Sequence, residues 1–501
     1  MENLLRGNEL RRLRMTELLF TKEDWMTIAD LSKELNASTR TLKYDFDIIK
    51  ESFDDFTIVT SNKGVKLEFS KNKGLKTLYQ NILNQSLSFQ LLEMIFFNDH
   101  YATHEIADQL FISMSSLYRM IEQINTVTKD YGFQIETNPC RLSGDEDSIR
   151  FFYYTYLYEK YTSLDWDIMT KDMEMDIPTI DSLLYFFIDL IHGELDFANY
   201  NLFKLFIVVN IVRFKQGHYC NIDTHSLNIQ AILLEMNNHS DAIKYFEKKL
   251  KTKIDIHLIT QIFSPFIYEG YSVSYESLLA KTKKDSELHK EVEFIEQFLI
   301  KIAAENGIPI SNIADLIYGI HNSTLLENYD PRSNYILHDR NAQFMQTIKE
   351  EFPTFYKHLY HNVKDYRRFL NLKPSKKAMN YLMYSIVSKW NQLILDLRQK
   401  HDKIKLLIVS NRHMSHSYML KDFIEYEFGS RLMIHIYDGV FLTAEILKEL
   451  DYDVILANFP LPTLASKSFL CIENIPTFND LAKIQKEIDE VIVKRNKKRS
   501  A

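Results

Sequence analysis

One amphipathic pattern occurs twice in this chain at an offset of 75 residues, and it constrains the N-terminal fold more than any other feature. The first copy is IADLSKELNASTRTLKYDFDIIKESF at residues 28–53. Ile28, Leu31 and Leu35 line one helical face, while Ala29 and Ser32 are small enough to let a second helix approach. Asn36–Ala37 marks a tight turn, Ser38 is a natural N-cap, and Leu42, Phe46 and Ile49 give the next helix its buried face. The second copy is THEIADQLFISMSSLYRMIEQINTV at residues 103–127. Leu35 matches Leu110, Ser38 matches Ser113, Leu42 matches Leu117, Phe46 matches Ile121 and Ile49 matches Ile124. A repeat of cap, turn and core positions together is a stronger signal than either copy alone. A short helix packed on a second helix across a tight turn is the helix-turn-helix arrangement.

Each copy is followed by a hairpin pattern. FTIVTSNKGVKLEFS (56–70) has two β-rich runs around Asn62–Lys63–Gly64, and FQIETNPCRL (133–142) turns at Asn138–Pro139. Two winged helix-turn-helix modules are therefore expected. The first turns of each second helix are expected to face DNA: Thr39, Arg40, Lys43 and Tyr44 in the first module, Ser115, Ser116, Tyr118 and Arg119 in the second. Arg suits guanine, and Lys and Tyr suit phosphate. Lys63 and Lys66 in the first hairpin are placed to reach phosphate. Arg11, Arg12 and Arg14 form a basic cluster readable as a second phosphate contact or as a solvated helix face.

Charge ranks the two modules. The net formal charge is −8. Residues 1–76 carry 14 Lys and Arg against 13 Asp and Glu, whereas residues 77–150 carry 4 against 10. The first module is thus expected to hold DNA more strongly.

The rest of the 501-residue chain has room for several cores, roughly 100–200 residues each. Only 12 Gly and 10 Pro among 46% hydrophobic residues favour long helices. Residues 151–400 read as nearly continuous helix, expected as two tandem bundles dividing near residue 288. KIKLLIVS (403–410), RLMIHIYD (431–438) and YDVILANF (452–459) alternate with helical stretches, the pattern of a small parallel α/β domain. The expected fold is mainly α and multidomain, with modules at 1–72, 73–150, 151–287, 288–400 and 401–501. Cys140, Cys220 and Cys471 form no CxxC pair, so they are expected as free buried thiols with no metal site, disulfide or cofactor. The N-terminus has no apolar signal-peptide core, and the most apolar stretch, Leu202 to Val212, is too short to cross a bilayer. A cytoplasmic protein with no membrane partner is expected.

Taken together, the order and sizes of these segments resemble the Mga/AtxA-type virulence regulators of Gram-positive bacteria. The resemblance is carried by SFQLLEMIFFNDHYATHEIADQLFISMSSLYRMIEQIN (88–125), LFKLFIVVNIVRFKQGH (202–218), DLIYGIHN (315–322) and KLLIVSN (405–411). It implies a non-enzymatic, DNA-binding transcription regulator, a global or virulence activator. It also implies two phosphotransferase-system regulation domains (PRDs) and a C-terminal domain like the EIIB component of sugar permeases. Implied partners are promoter DNA, a second copy of the chain as homodimer or higher oligomer, and HPr-type phosphotransferase proteins that phosphorylate PRD histidines. The usual acceptor position in the first bundle reads Tyr200–Asn201 here, without histidine. His192 and His218 lie nearby, and His321 matches an acceptor position better. The EIIB-type cysteine is likewise missing from the loop SNRHMSHS (410–417), which holds His413 and His416 instead. An antiterminator that binds RNA and a phosphotransferase-system component enzyme are the alternatives. The first calls for a small β-rich module at the N-terminus, the second for an acceptor in the 410–417 loop.

Overall fold

The computed structural model describes residues 1–22, 25–52, 56–161, 166, 176–190, 196–222, 227, 229–400, 403–461 and 468–500. It is mainly helical and divides into two compact units. One is Met1–Ala280 with His321–Arg340, the other Lys281–Ile320 with Asn341–Ala501.

The first unit opens with α1 (Gly7–Lys22), α2 (Ile28–Glu34) and α3 (Thr39–Ser52), followed by β1 (Phe56–Ser61) and β2 (Gly64–Phe69). The two strands pair antiparallel with Ser61 opposite Gly64, so Asn62–Lys63 is the turn expected from sequence. Gly64 has φ +124, and a Cβ there would sit 2.2 Å from the Met26 carbonyl oxygen, so no side chain fits. Met26 closes against Val65 as a bridge beside the hairpin. Next come α4 (Leu75–Gln85), α5 (Leu87–Phe97), α6 (Thr103–Gln109), α7 (Met114–Thr128), β3 (Phe133–Glu136), β4 (Arg141–Gly144) and α8 (Glu146–Lys160). Glu136 pairs with Arg141, which leaves Asn138–Pro139 in the turn, as the sequence suggests.

The helical region of this unit continues with α9 (Ile177–Leu190), α10 (Phe197–Lys215), α11 (Ile229–Asn238), α12 (Ser240–Leu250) and α13 (Ile256–Ile267). Asp196 caps α10 by accepting the Asn199 N–H at 2.6 Å, and Gly217 at φ +81 follows its end. Among the described residues α10 is the one helix long and apolar enough to cross a membrane, which the shorter run Leu202 to Val212 did not suggest. Its residues from Leu202 to Arg213 are buried within the unit, where Phe187 stacks on Phe263 and Phe203 meets Phe266 edge-on. Its polar groups are paired. Lys204 meets Asp181 at 2.6 Å, and Arg213 meets Glu146 at 2.7 Å. An α-helix apolar on all faces is what the centre of a bundle requires.

The chain passes between the units within α14 (Tyr275–Thr282) and α16 (Ile313–Leu325), which flank α15 (Ser286–Asn306). The segment 326–340 belongs to the first unit, and its Ile336 and Leu337 are buried there. The second unit continues with α17 (Arg340–Glu351), α18 (Pro353–Phe369), α19 (Lys376–Lys389) and α20 (Leu393–Lys400). In it the Tyr366 hydroxyl donates to Glu291 at 2.7 Å, and Trp390 Nε1 donates to the Pro309 carbonyl at 3.1 Å.

The C-terminal residues form a parallel sheet in the order β6–β5–β7–β8: β5 (Ile404–Val409), β6 (Leu432–Ile436), β7 (Val454–Ala457) and β8 (Ser468–Cys471). Three of these strands were expected. The fourth is four residues, SFLC, too short to carry a period of its own. Helices α21 (Met414–Phe428) and α23 (Phe478–Ser500) cover one face through Leu420, Ile424, Ile484 and Ile488, packed on Leu406 and Ile408. Leu447 of α22 (Ala444–Glu449) covers the other face, on Leu407 and Val409. That alternation explains the unbroken apolar run of β5. Cys140 is buried as expected, but Cys220 is half-buried and Cys471, on the edge strand, is exposed.

Candidate nucleic-acid interface

The duplicated pattern becomes duplicated geometry. In the first module the Leu35 N–H donates to Leu31, Ala37 N–H to Ser32 and Leu42 N–H to Ser38, at 2.9, 3.1 and 3.0 Å. In the second, Leu110 donates to Ile106, Ile112 to Ala107 and Leu117 to Ser113, at 2.9, 3.0 and 3.0 Å. Every partner is shifted by the same 75 residues. The turn residue is left-handed in both copies, Asn36 at φ +47 and Phe111 at φ +53. Asparagine tolerates this conformation and phenylalanine does not favour it, so the second turn is held by its surroundings. The caps also repeat. Ser38 Oγ accepts the Thr41 N–H at 3.1 Å, and Ser113 Oγ accepts the Ser116 N–H at 3.2 Å.

Burial of one helical face presents the other. Leu42, Phe46 and Ile49 are buried, and Thr39, Arg40, Lys43 and Tyr44 all stand exposed on the first two turns of α3. Tyr44 is 65% exposed. In α7, Leu117, Ile121 and Ile124 are buried, and Ser115, Ser116, Tyr118 and Arg119 are exposed. The Ser115 and Ser116 hydroxyls lie 3.0 and 2.9 Å from Ser113 Oγ, so all three crowd the start of α7. Phe111 is 94% exposed beside them. Nothing in the periodicity singled it out, because it falls in a turn rather than on a helical face.

Lys63 is exposed at the tip of the first hairpin, whereas Lys66 sits 3.5 Å from Glu68. Two of the three N-terminal arginines are engaged within the protein. Arg11 makes a two-bond pair with buried Asp45 at 2.6 and 3.2 Å, which fixes α1 against α3. Arg14 is paired with Glu17 and Glu2. Arg11 thus braces two helices, while Arg14 remains half exposed in a surface pair, partnerships invisible in sequence. The second hairpin is fastened to α7 by Asn125, whose amide accepts from and donates to the Ile135 backbone at 2.7 and 2.9 Å. Tyr118, Glu122 and Glu136 line the groove between α7 and β3. Carboxylates there agree with the acidic balance of residues 77–150.

Behind the second module, α8 ties it to the helices that follow. Glu146 accepts from Arg213 at 2.7 and 3.0 Å and from Arg150 at 2.9 Å. Burial alone raises such a carboxyl, but Arg213 and Arg150 outweigh it and hold Glu146 below its ordinary value. His218 Nε2 lies 2.9 Å from the buried carboxylate of Asp99, in the turn that precedes α6. His321 is only 5% exposed and its Nε2 lies 2.9 Å from the Gly270 carbonyl. His192 lies outside the described residues. In the C-terminal sheet, His416 has Ser410 Oγ at 2.8 Å from Nδ1 and the Asn474 carbonyl at 2.7 Å from Nε2. Both ring nitrogens are occupied by structural partners.

Paired helix-turn-helix modules joined to a long helical region define a DNA-binding transcription regulator of a modular kind. Comparison with known proteins agrees. The helix-turn-helix domain of the M protein trans-acting positive regulator (MGA) matches residues 8–65, the Mga helix-turn-helix domain matches 71–157, and the MGA PRD domain matches 178–393. Together they cover well over half of the sequence, and the chain belongs to the Mga/AtxA-type family of PRD-containing transcription regulators. It is 27% identical to a putative trans-acting regulator of Streptococcus pneumoniae, over 95% of this chain and 97% of that one. It is 21% identical to the capsule synthesis positive regulator AcpB of Bacillus anthracis, over 96% and 98%. The same identity and coverage relate it to the anthrax toxin expression trans-acting positive regulator of Bacillus anthracis.

Proposed function

We propose that this chain is a cytoplasmic activator of transcription that grips promoter DNA chiefly through its first helix-turn-helix module. The observation that carries this reading is the exposed face of α3, where Thr39, Arg40, Lys43 and Tyr44 stand clear of the core. Arg40 and Thr39 address base edges, and Lys43, Tyr44, Lys63 and Lys66 address phosphates. The hairpins act as wings. The second module adds Ser115, Ser116, Tyr118 and Arg119, with weaker phosphate attraction because of its acidic surround. Both module pairs of a homodimer then lie along one stretch of DNA.

The five modules run 1–72, 73–150, 151–287, 288–400 and 401–501, the last an EIIB-like regulatory or dimerisation domain. HPr-type phosphotransferase proteins act on the PRD region. His218 is the more accessible acceptor, and His321 needs local opening before it can react. A phosphoryl group of about −1.5 to −2 charge on His218 would face Asp99 and repel it. The positive regulators of capsule and toxin among the relatives favour activation of virulence genes. Gel-shift titration of the full chain with genomic promoter duplexes and with RNA hairpins tests the reading. Binding to duplex DNA, weakened by added salt, supports it, and preference for RNA overturns it.

A further inference from the structure

A cavity of about 220 Å³ lies within the first unit where α4, the C-terminal end of α8, the start of α10 and the returning segment 326–340 converge. Tyr158, Tyr161, Trp166 and Phe197 give it aromatic walls, and aliphatic side chains of α8 and α10 line the remainder of its apolar surface. Two cations face it, Lys76 from α4 and Arg332 from the returning segment, and its lining among the described residues includes no carboxylate. The cations are held in place. Lys76 Nζ donates to the Tyr161 carbonyl at 3.3 Å and lies 5.8 Å from the centre of the Tyr158 ring. The Arg332 guanidinium is gripped by buried Asp330, with Nε 2.9 Å from Oδ1 and the terminal nitrogen 2.6 Å from Oδ2. Asn201, on the α10 wall, is fixed by accepting from Trp166 Nε1 at 3.2 Å and donating to the Phe197 carbonyl at 2.6 Å.

We infer that this cavity is an effector site for a small organic anion, a carboxylate or phosphate monoester carried on a single apolar ring. Size sets the body of the ligand. A dry cavity of about 150 Å³ accommodates benzene, so this one holds a ring and one charged group. Chemistry sets the ends. The aromatic walls take a ring by stacking, and Lys76 and Arg332 attract the anion, Lys76 as a point charge and Arg332 with its charge partly offset by Asp330. Ordered apolar walls with a few convergent polar groups are what small-molecule sites have in common. The position gives the ligand a purpose. Lys76 belongs to the helix whose Tyr79 hydroxyl donates to Glu17 of α1 at 2.6 Å, while Arg332 and Phe197 belong to elements of the regulatory region. A bound anion ties these three elements together and stabilises one arrangement of them by mass action.

Calorimetric titration of the full chain with phenyl phosphate and with benzoate tests the site, with benzyl alcohol and inorganic phosphate as controls. The expected result is saturable one-to-one binding of at least one of the two anions, with both controls at least tenfold weaker. Lys76→Gln and Arg332→Gln should each weaken binding at least tenfold. Ala198→Phe, which fills the cavity and leaves both cations, should abolish it and decides the matter if either charge variant fails to fold. Retention of binding by Ala198→Phe overturns the inference. So does benzyl alcohol binding as tightly as the anions, which marks an apolar void only, and so does a failure of both anions to bind.

Discussion

The Glu159 carboxylate of α8 accepts the backbone N–H of Leu337 at 2.9 Å, across 178 residues of sequence. Ile336 and His338 donate to the same carboxylate at 2.8 and 3.0 Å. The His338 ring stacks on Tyr79 of α4 at 4.4 Å, and the Arg340 guanidinium lies 5.3 Å from the centre of the Tyr158 ring. A segment arriving from the later helices is thereby clamped to the helices that carry the second DNA-reading module. Any signal that shifts this segment bears on α8 and α4 directly.

Replacing Glu159 should release the clamp. Glu159→Ala leaves the buried N–H groups of Ile336 and Leu337 and the half-buried one of His338 without their acceptor, and should cost about 3 kcal/mol in chemical unfolding. Burial pushes the Glu159 carboxyl above its ordinary value, although the three N–H donors and Arg340 pull the other way. A carboxyl raised by folding contributes stability that is complete below its unfolded value of about 4.3 and falls away as pH rises through the folded value. The stability gap between the wild type and Glu159→Gln should therefore narrow as pH rises above about 4.3. A gap that widens with pH would show that the donors dominate.

Glu146→Gln should be more damaging than any exposed charge change. It removes the carboxylate charge facing Arg213, which has no exposed surface and otherwise donates to the neutral Gln216 side chain, and facing Arg150, which is almost fully buried and keeps neutral acceptors such as the Gln261 carbonyl. Breaking a buried pair from one side costs about 3–5 kcal/mol. Because Glu146 is held below its ordinary value, its contribution is present at neutral pH and lost as pH falls through the depressed value. Urea unfolding at pH 7 of Glu146→Gln beside Lys290→Gln, an exposed pair partner, checks the contrast.

The C-terminal sheet has its own acid-sensitive joint. Burial favours a raised Asp480 carboxyl, but the Thr477 N–H and hydroxyl, the Lys483 ammonium and the Glu473 N–H hold it down at about 2. Its contribution is complete above about 3.9 and disappears as pH falls towards 2. Asp480→Asn should lower the melting temperature at pH 6 and make no difference near pH 2, as read by thermal unfolding across that range.

Much of the DNA-reading half is legible in sequence because its signals are local. A cap, a turn and a buried stripe lie within about 20 residues, so Ser38 with Leu42 and Ser113 with Leu117 announce their roles directly. The positive φ shared by Asn36 and Phe111 follows from the same alignment, though phenylalanine hides it. The pairs Arg11–Asp45, Glu146–Arg213 and Glu159–Leu337 are not legible. They join residues with no shared period, and a basic or acidic side chain reads the same whether it meets a phosphate or a distant partner. For that reason the cluster Arg11, Arg12 and Arg14 could be read as a phosphate contact or a solvated face, while Arg11 braces α1 against α3 and Arg14 pairs with carboxylates at the surface. The return of residues 326–340 to the first unit also has no local pattern, since it is a loop recognised through its backbone.

Salt dependence should separate the hairpin from the helix. If Lys63 meets a phosphate, Lys63→Ala weakens binding similarly on all sequences and lowers the slope of log affinity against log salt by about 0.9. Arg40→Ala should cost about 1–3 kcal/mol and relax sequence preference at one base pair. Equilibrium titrations at several salt concentrations distinguish the two outcomes.

The most direct measurement is promoter affinity for Arg40→Ala beside Arg119→Ala in the full chain, at one fixed salt concentration. The first module is the better balanced in charge and the second is surrounded by carboxylates, so Arg40→Ala should weaken binding at least tenfold more than Arg119→Ala. Equal losses, or a larger loss from Arg119→Ala, would contradict the leading role assigned to α3.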